Sequence, residues 1–230
     1  MSYLSFFLDF LFPKRCVNCG KLGVYLCLQC QFIIKPVILP ICPMCERQAV
    51  DGVTHPGCQT RYSLDGLISF FRYDGAVKAA IKRLKYKPYL SELAKILLPP
   101  ALNGRENKES RGFAGFVVVP VPLHPRRQRE RGFNQADLIG KAVAEKLGLQ
   151  FVDGALKRIR NTKPQVELKG KERRENILNA FIISPNILIS QYPNILLVDD
   201  VWTTGSTLRT CGNLLKRAGA KKVWTMTLAR

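Results

Sequence analysis

The sequence predicts an α/β fold, a Rossmann-like parallel sheet flanked by helices, with a small cysteine-rich module at its amino-terminal end. Three observations carry this expectation. The runs Phe116–Val121 and Ile195–Val198 are short, branched and apolar, and each leads into a polar loop and then an amphipathic helix, as buried parallel strands do. Seven of the eight cysteines lie before residue 60, six as Cys-x2-Cys pairs and the seventh in His-x2-Cys. A length of 230 residues suits one full α/β domain and a small appendage.

Taken in order, Met1 to Pro13 is apolar and short, holds Asp9, and lacks a basic start or a small-residue cleavage site. It reads as a short helix docked by its aromatic face, not as a signal peptide or a membrane span. No other stretch is apolar enough to cross a bilayer, so the expected location is cytoplasmic. Cys16-x2-Cys19, Cys27-x2-Cys30, Cys42-x2-Cys45 and His55-x2-Cys58 follow. Each Cys-x2-Cys turn presents two thiolates to one tetrahedral ion, and two turns close a structural site. Two structural zinc ions are expected, one on Cys16, Cys19, Cys27 and Cys30, the other on Cys42, Cys45, His55 and Cys58. An interleaved cross-brace is the alternative pairing. A disulfide framework would need an oxidising compartment.

The pattern changes near residues 60–65, dividing the chain into a module over 1–62 and a domain over 63–230. Leu67–Tyr73 reads as a strand closed by an Asp74-Gly75 turn. Val77, Ala80, Ile81 and Leu84 recur at helical spacing, with Lys78, Lys82 and Lys85 on another face, the pattern of a solvated basic stripe. A helix over 91–98 and an exposed polar loop over 103–111 come next. The strand at Phe116–Val121 leads into a loop holding Arg126, Arg127, Arg129 and Arg131. Arginine forks bind phosphate bidentately, so this loop suits a pyrophosphate clamp or a nucleic-acid contact. Asn134 caps a helix that stops at Gly148. Lys157 to Arg174 is basic and poor in core residues, a mobile excursion suited to a closing lid. After a linker over 184–193, Ile195–Val198 runs into Asp199-Asp200-Val201-Trp202-Thr203-Thr204-Gly205-Ser206-Thr207. The hydroxyls and the glycine let this loop wrap a phosphate against a helix N-terminus, while the acids hold hydroxyls or a metal. Cys211 falls on the apolar face of that helix and reads as core. Subtracting 17 acids from 36 bases leaves +19, which favours a polyanionic partner.

The residues from Ile195 to Thr207 resemble the phosphoribosyl pyrophosphate (PRPP) signature of type I phosphoribosyltransferases. Together with the cysteine knuckles, Arg131-Gly132-Phe133-Asn134-Gln135, Thr162-x2-Gln165 and Arg173-x2-Asn176-x3-Ala180-Phe181, in this order, the chain resembles the ComF family of amidophosphoribosyltransferase-like competence proteins. That resemblance implies a type I phosphoribosyltransferase domain behind a double zinc ribbon. It implies that Asp199 and Asp200 bind the ribose hydroxyls and, indirectly, Mg²⁺, and that Thr203, Thr204, Gly205, Ser206 and Thr207 hold the 5′-phosphate. Arg129 and Arg131 fall where such enzymes grip pyrophosphate. The implied role is handling of single-stranded DNA during natural transformation, alongside a competence helicase and a recombination mediator. Phosphoribosyl transfer to an acceptor in nucleotide or amine metabolism, without DNA binding, is the alternative.

Overall fold

The computed structural model describes residues 13–86, 91–99, 102, 112–160 and 180–230. The expected amino-terminal helix lies outside them, as do Thr162, Gln165, Arg173, Asn176 and most of the expected lid. The described elements run, in order, α1 (Leu28–Phe32), β1 (Gly66–Phe71), α2 (Gly75–Leu84), α3 (Ser91–Ile96), β2 (Val117–Pro120), α4 (Pro125–Arg131), α5 (Gln135–Leu147), β3 (Gln150–Phe151), β4 (Leu156–Arg158), β5 (Phe181–Ile183), β6 (Asn194–Val201), α6 (Ser206–Arg217) and β7 (Lys222–Ala229). Five strands form one sheet in the order β1-β7-β6-β2-β3, and every neighbouring pair is parallel.

Parallel strands need crossovers, and the crossover helices cover both faces of the sheet. The central strand β6 shows the consequence. Ile195, Leu196, Leu197 and Val198 are all fully buried, because alternate side chains enter opposite cores. Leu196 and Val198 pack with Ile139 and Val143 of α5. Ile195 and Leu197 pack with Leu208, Cys211 and Leu215 of α6. Cys211 has no exposure, and burial raises its thiol pKa far above the usual range, so it is a core residue as its spacing implied.

The cysteine-rich segment lies along the edge strand β1. Val37 donates its N–H to the Phe70 carbonyl at 2.8 Å, Arg72 to that of Lys35 at 2.9 Å, and Thr54 to that of Asp65 at 2.9 Å. An edge that would present unpaired backbone groups is thereby partly covered.

Three local expectations change. The arginine-rich loop is the helix α4: Pro125 sits at its first position, His124 Nδ1 accepts the Arg126 N–H, and Gly132 ends it in the left-handed region. The basic excursion is rooted in an antiparallel ladder between β4 and β5, anchored by buried Leu156 and Phe181. The linker over 184–193 contains a 3₁₀ turn at Ile189–Gln191, with Ile189 buried.

Removing side-chain volume from β6 opens a cavity that two packed layers cannot close. Leu197→Ala is expected to cost about 2–5 kcal/mol of unfolding free energy, read from the urea midpoint.

Candidate ligand crevice and metal centres

From β2 the chain crosses to β3 at one side, while β6 lies on the other side of β2. The strand order therefore reverses between β2 and β6, and a crevice opens there beyond the carboxyl ends of the strands. The segment after β2 carries the arginines, the carboxyl end of β6 carries the acids, and the segment after β6 carries the hydroxyl loop. Asn134 fixes the first of these. Its Nδ2 donates to the Val121 carbonyl at 3.0 Å, and its Oδ1 accepts the Ala136 N–H at 3.2 Å, so one side chain joins the end of β2 to the start of α5.

Asp199 and Asp200 close β6, with the Asp200 N–H donating to Asp199 Oδ1 at 2.8 Å. For Asp199, burial and then the Asp200 carboxylate push the pKa from 3.8 up to about 7. Asp200 meets a cation that its local sequence does not show: Lys85 Nζ, just beyond α2, lies 2.9 Å from Asp200 Oδ2. Burial pulls the Lys85 pKa down, and the Asp200 carboxylate outweighs it, so the net shift is upward. Lys85 belongs to the stripe whose spacing reads as solvated surface. Its position one residue past Leu84 turns it inward, and only the tertiary fold brings it to β6. Arg158 of β4 is a second cation that the sequence does not reveal in this role; its field lowers the Asp199 pKa, and its guanidinium lies 5.2 Å from the Phe181 ring centroid.

Beyond the acids the backbone turns sharply. Gly205 has φ +65°, and a Cβ there would lie 2.1 Å from Cζ2 of Trp202. Trp202 is buried and forms the floor of the loop. Thr204 Oγ1 and Ser206 Oγ are hydrogen-bonded at 2.9 Å. The helix α6 begins at Ser206, so its first amides have no intrahelical acceptor and face the region that Thr203, Thr204, Ser206 and Thr207 surround. This can cradle a phosphate.

Helical winding of α4 sorts the arginines. Arg127 and Arg131, four residues apart, are half-buried, while Arg126 and Arg129 are exposed. Arg126 Nε pairs with Glu130 at 3.0 Å. Arg131 donates to Gln135 Oε1 at 3.2 Å and lies 5.5 Å from the Tyr86 ring centroid, beside Lys85. Arg127 acts on Arg158, whose pKa is lowered first by burial and then by this like charge. Arg127 thus joins Arg131 as an inward arginine, and Arg129 stands at the surface.

The metal-type ligands gather into two groups, Cys16/Cys19/Cys27/Cys30 and Cys42/Cys45/His55/Cys58, with all ligand atoms of a group within 4.8 Å of one another. This is the consecutive pairing, not the cross-brace. Cys19 and Cys27 Sγ are 3.6 Å apart, and Cys45 Sγ is 3.4 Å from His55 Nδ1. Tetrahedral zinc with bonds of about 2.0–2.3 Å requires ligand separations of this order. His55 Nε2 meets the Gln48 carbonyl at 2.9 Å. Donating that proton leaves Nδ1 as the ligand atom. At Cys16, burial raises the pKa, but backbone N–H groups of Cys19, Cys27 and Asn18 outweigh it and hold the thiol at about 6. At Cys30, Asn18 lowers the value, but burial and the neighbouring thiols carry it up to about 12. Four thiols in the first group, or three beside the His55 imidazole in the second, ionise together only around a cation, so both groups fit zinc.

A parallel sheet with an acid pair and a glycine-hydroxyl loop at its switch point defines a type I phosphoribosyltransferase fold. A family profile for the phosphoribosyl transferase domain matches residues 137–230. The chain belongs to the ComF family of competence proteins. Competence protein F of Haemophilus influenzae is 31% identical over 95% of this chain and 98% of that protein. DNA utilization protein YhgH of Escherichia coli K12 is 32% identical over 83% of this chain and 84% of its own length. Competence protein ComFC of Bacillus subtilis is 29% identical, covering 89% and 83%. Among solved structures, the allosteric regulatory enzyme of purine biosynthesis is 19% identical with a TM-score of 0.33, over 84% of this chain and 31% of that enzyme, so this chain spans about a third of it. No helix among the described residues is long and apolar enough to cross a membrane.

The raised Asp199 pKa fixes a sign. Between pH 3.8 and about 7 the unfolded chain has lost a proton that the folded chain keeps, so this group lowers stability as pH rises through that window. Asp199→Asn is expected to raise Tm at pH 8 by about 3 °C, a gain that shrinks on acidification toward pH 4. Thermal melts across pH check it, and a pH-independent shift would count against it.

Proposed function

We propose that the crevice between β2 and β6 binds PRPP with Mg²⁺, and that the protein uses this site while handling single-stranded DNA in natural transformation. The observation that carries the reading is the acid pair at the end of β6, set beside the hydroxyl loop and across the switch point from the inward arginines. Asp199 and Asp200 accept the ribose hydroxyls, and their hard oxygens suit magnesium held through the ligand. The α6 N-terminus and the hydroxyls of Thr203, Thr204, Ser206 and Thr207 take the 5′-phosphate. Arg131 and Arg127 face the pyrophosphate, and Arg129 lies at the outer rim of the same helix. Lys85 holds Asp200 in the unliganded site and becomes available to a phosphate oxygen when the ribose arrives.

The relatives named for competence and DNA utilization supply the biological context, and the +19 charge supplies a physical reason for a polyanionic partner. Zinc in the two centres is structural and contributes roughly 10–16 kcal/mol of folding free energy per site. We assign residues 1–62 to the zinc module and 63–230 to the phosphoribosyltransferase domain. A competence helicase and a recombination mediator are the proposed protein partners.

Titration of the zinc-loaded protein with PRPP and Mg²⁺ is expected to raise Tm by an amount that grows with ligand excess. Lys85→Ala and Asp200→Ala should each weaken binding by about tenfold or more, the scale of one broken charge-assisted hydrogen bond. An unshifted wild type removes the reading. The catalytic version, in which a nitrogen nucleophile displaces pyrophosphate from C1, requires pyrophosphate release with some acceptor of a nucleobase and amine panel, and PRPP binding without release excludes it for that panel. For DNA, affinity for an oligothymidine strand should fall steeply with salt, and Arg126→Ala/Arg129→Ala should flatten the log–log slope by about one for each phosphate that is no longer neutralised. An unchanged slope would show that α4 does not face the strand.

A further inference from the structure

One side chain joins the second metal centre to the hydroxyl loop. Arg209 lies in the first turn of α6 and spends each arm of its guanidinium on a different partner. Nη1 donates to the Thr204 carbonyl at 2.8 Å, inside the loop. Nε donates to the Pro43 carbonyl at 2.5 Å, and Nη2 meets Glu46 Oε1 at 2.7 Å. Its Cζ lies 5.2 Å from the ring centroid of Trp202, the residue on which Gly205 rests.

Pro43 and Glu46 belong to the turn that presents Cys42 and Cys45. The Glu46 N–H closes that turn onto the Cys42 carbonyl at 2.9 Å, and Glu46 takes φ +61°, a strained value for a residue with a Cβ. The turn therefore holds its acceptors in place only while its own closure is enforced. Zinc on Cys42, Cys45, His55 and Cys58 would enforce it. Three bonds and a ring contact then make the arginine a strut with two ends, one on the knuckle and one on the loop. A guanidinium has the planar fork this needs, and an ammonium does not.

We propose that Arg209 is a positioning residue that makes the affinity of the hydroxyl loop for a phosphate ligand depend on zinc at the second centre. The ligand half of this statement rests on the reading of Thr203–Thr207 as a 5′-phosphate site; the mechanical half does not. Coupling between two sites is reciprocal, so PRPP must tighten zinc at the Cys42 centre by the factor by which that zinc tightens PRPP.

The test uses the full zinc-loaded chain, with PRPP and Mg²⁺ as probe, and reads three quantities. These are amide hydrogen exchange over Thr203–Thr207, the PRPP dissociation constant, and the zinc affinity of each centre by chelator competition with and without PRPP. Arg209→Ala cuts the strut at its centre, Arg209→Lys keeps the charge without the fork, and Glu46→Ala loosens only the knuckle end. Arg217→Ala, on the same helix beside Tyr62, is the control. Arg209→Ala and Glu46→Ala are expected to speed exchange in the loop and weaken PRPP about tenfold. Arg209→Lys should fail to restore either quantity, and Arg217→Ala should match wild type. Loop exchange unchanged in both Arg209→Ala and Glu46→Ala, or zinc affinity at the Cys42 centre indifferent to bound PRPP, overturns the proposal. Faster loop exchange in both variants together with no PRPP binding by wild type would instead sink the phosphate reading and leave the mechanical link standing.

Discussion

Burial of β6 on both faces is the constraint from which the rest of the structure follows. Ile195 to Val198 have no exposure, so neither face of the strand can be left to water. At about 1.5–3 kcal/mol per fully buried aliphatic side chain, the four commit β6 firmly to the sheet. A parallel strand flanked on both sides requires crossover helices above and below, which α5 and α6 provide. Once α5 returns the chain to β3 at one edge, β6 must take the other side of β2. The reversal that opens the crevice is thus a consequence of filling the sheet from its centre.

Against that apolar strand, the acids at its end stand out electrostatically. Burial disfavours the charged form of Asp199, and the adjacent Asp200 carboxylate adds its repulsion, so the Asp199 pKa rises to about 7. A chain with a large cationic excess solves this with specific cations and not with bulk charge. Lys85 reaches Asp200 from the end of α2, and Arg158 acts on Asp199 from the small β4–β5 ladder. Both come from elements outside the strand-loop-helix unit that bears the acids. An isolated strand and turn would carry the sequence motif without a stable charge balance.

That distinction explains which features are legible in the sequence. The acid pair, the glycine of the loop, the buried Cys211 and the metal-ligand sets are encoded within a few residues, through period, turn chemistry and spacing. Asn134 is legible as a cap for the same reason. The arginine segment reads as loop because its charge hides a helix start: Pro125, a His124 cap and Gly132 mark α4 once charge is set aside. Lys85, Arg158 and Arg209 are not legible in their roles. Each acts on a residue far along the chain, and no periodicity encodes a contact across the fold. By sequence Trp202 is ambiguous among shielding, stacking and packing; the missing Cβ at Gly205 resolves it, because the indole occupies that space.

The cysteine-rich segment has little core beyond its own ligands, and Leu28, Phe32 and Ile38 remain mostly exposed. Its attachment to the rest of the fold runs through the sheet edge it covers and through Leu26 and the first cysteine group, which pack on the core beside α2. The segment in turn covers the edge strand β1, with Val37 bonded to Phe70 within it and Lys35 and Thr54 bonded to Arg72 and Asp65 at its two ends. Arg209 ties the same segment to the hydroxyl loop that follows β6. Two attachments at separated points on one sheet resist rotation in a way that a single tether cannot. The cysteine-rich segment is therefore fixed to the sheet in two places, along its edge and at the turn that follows β6.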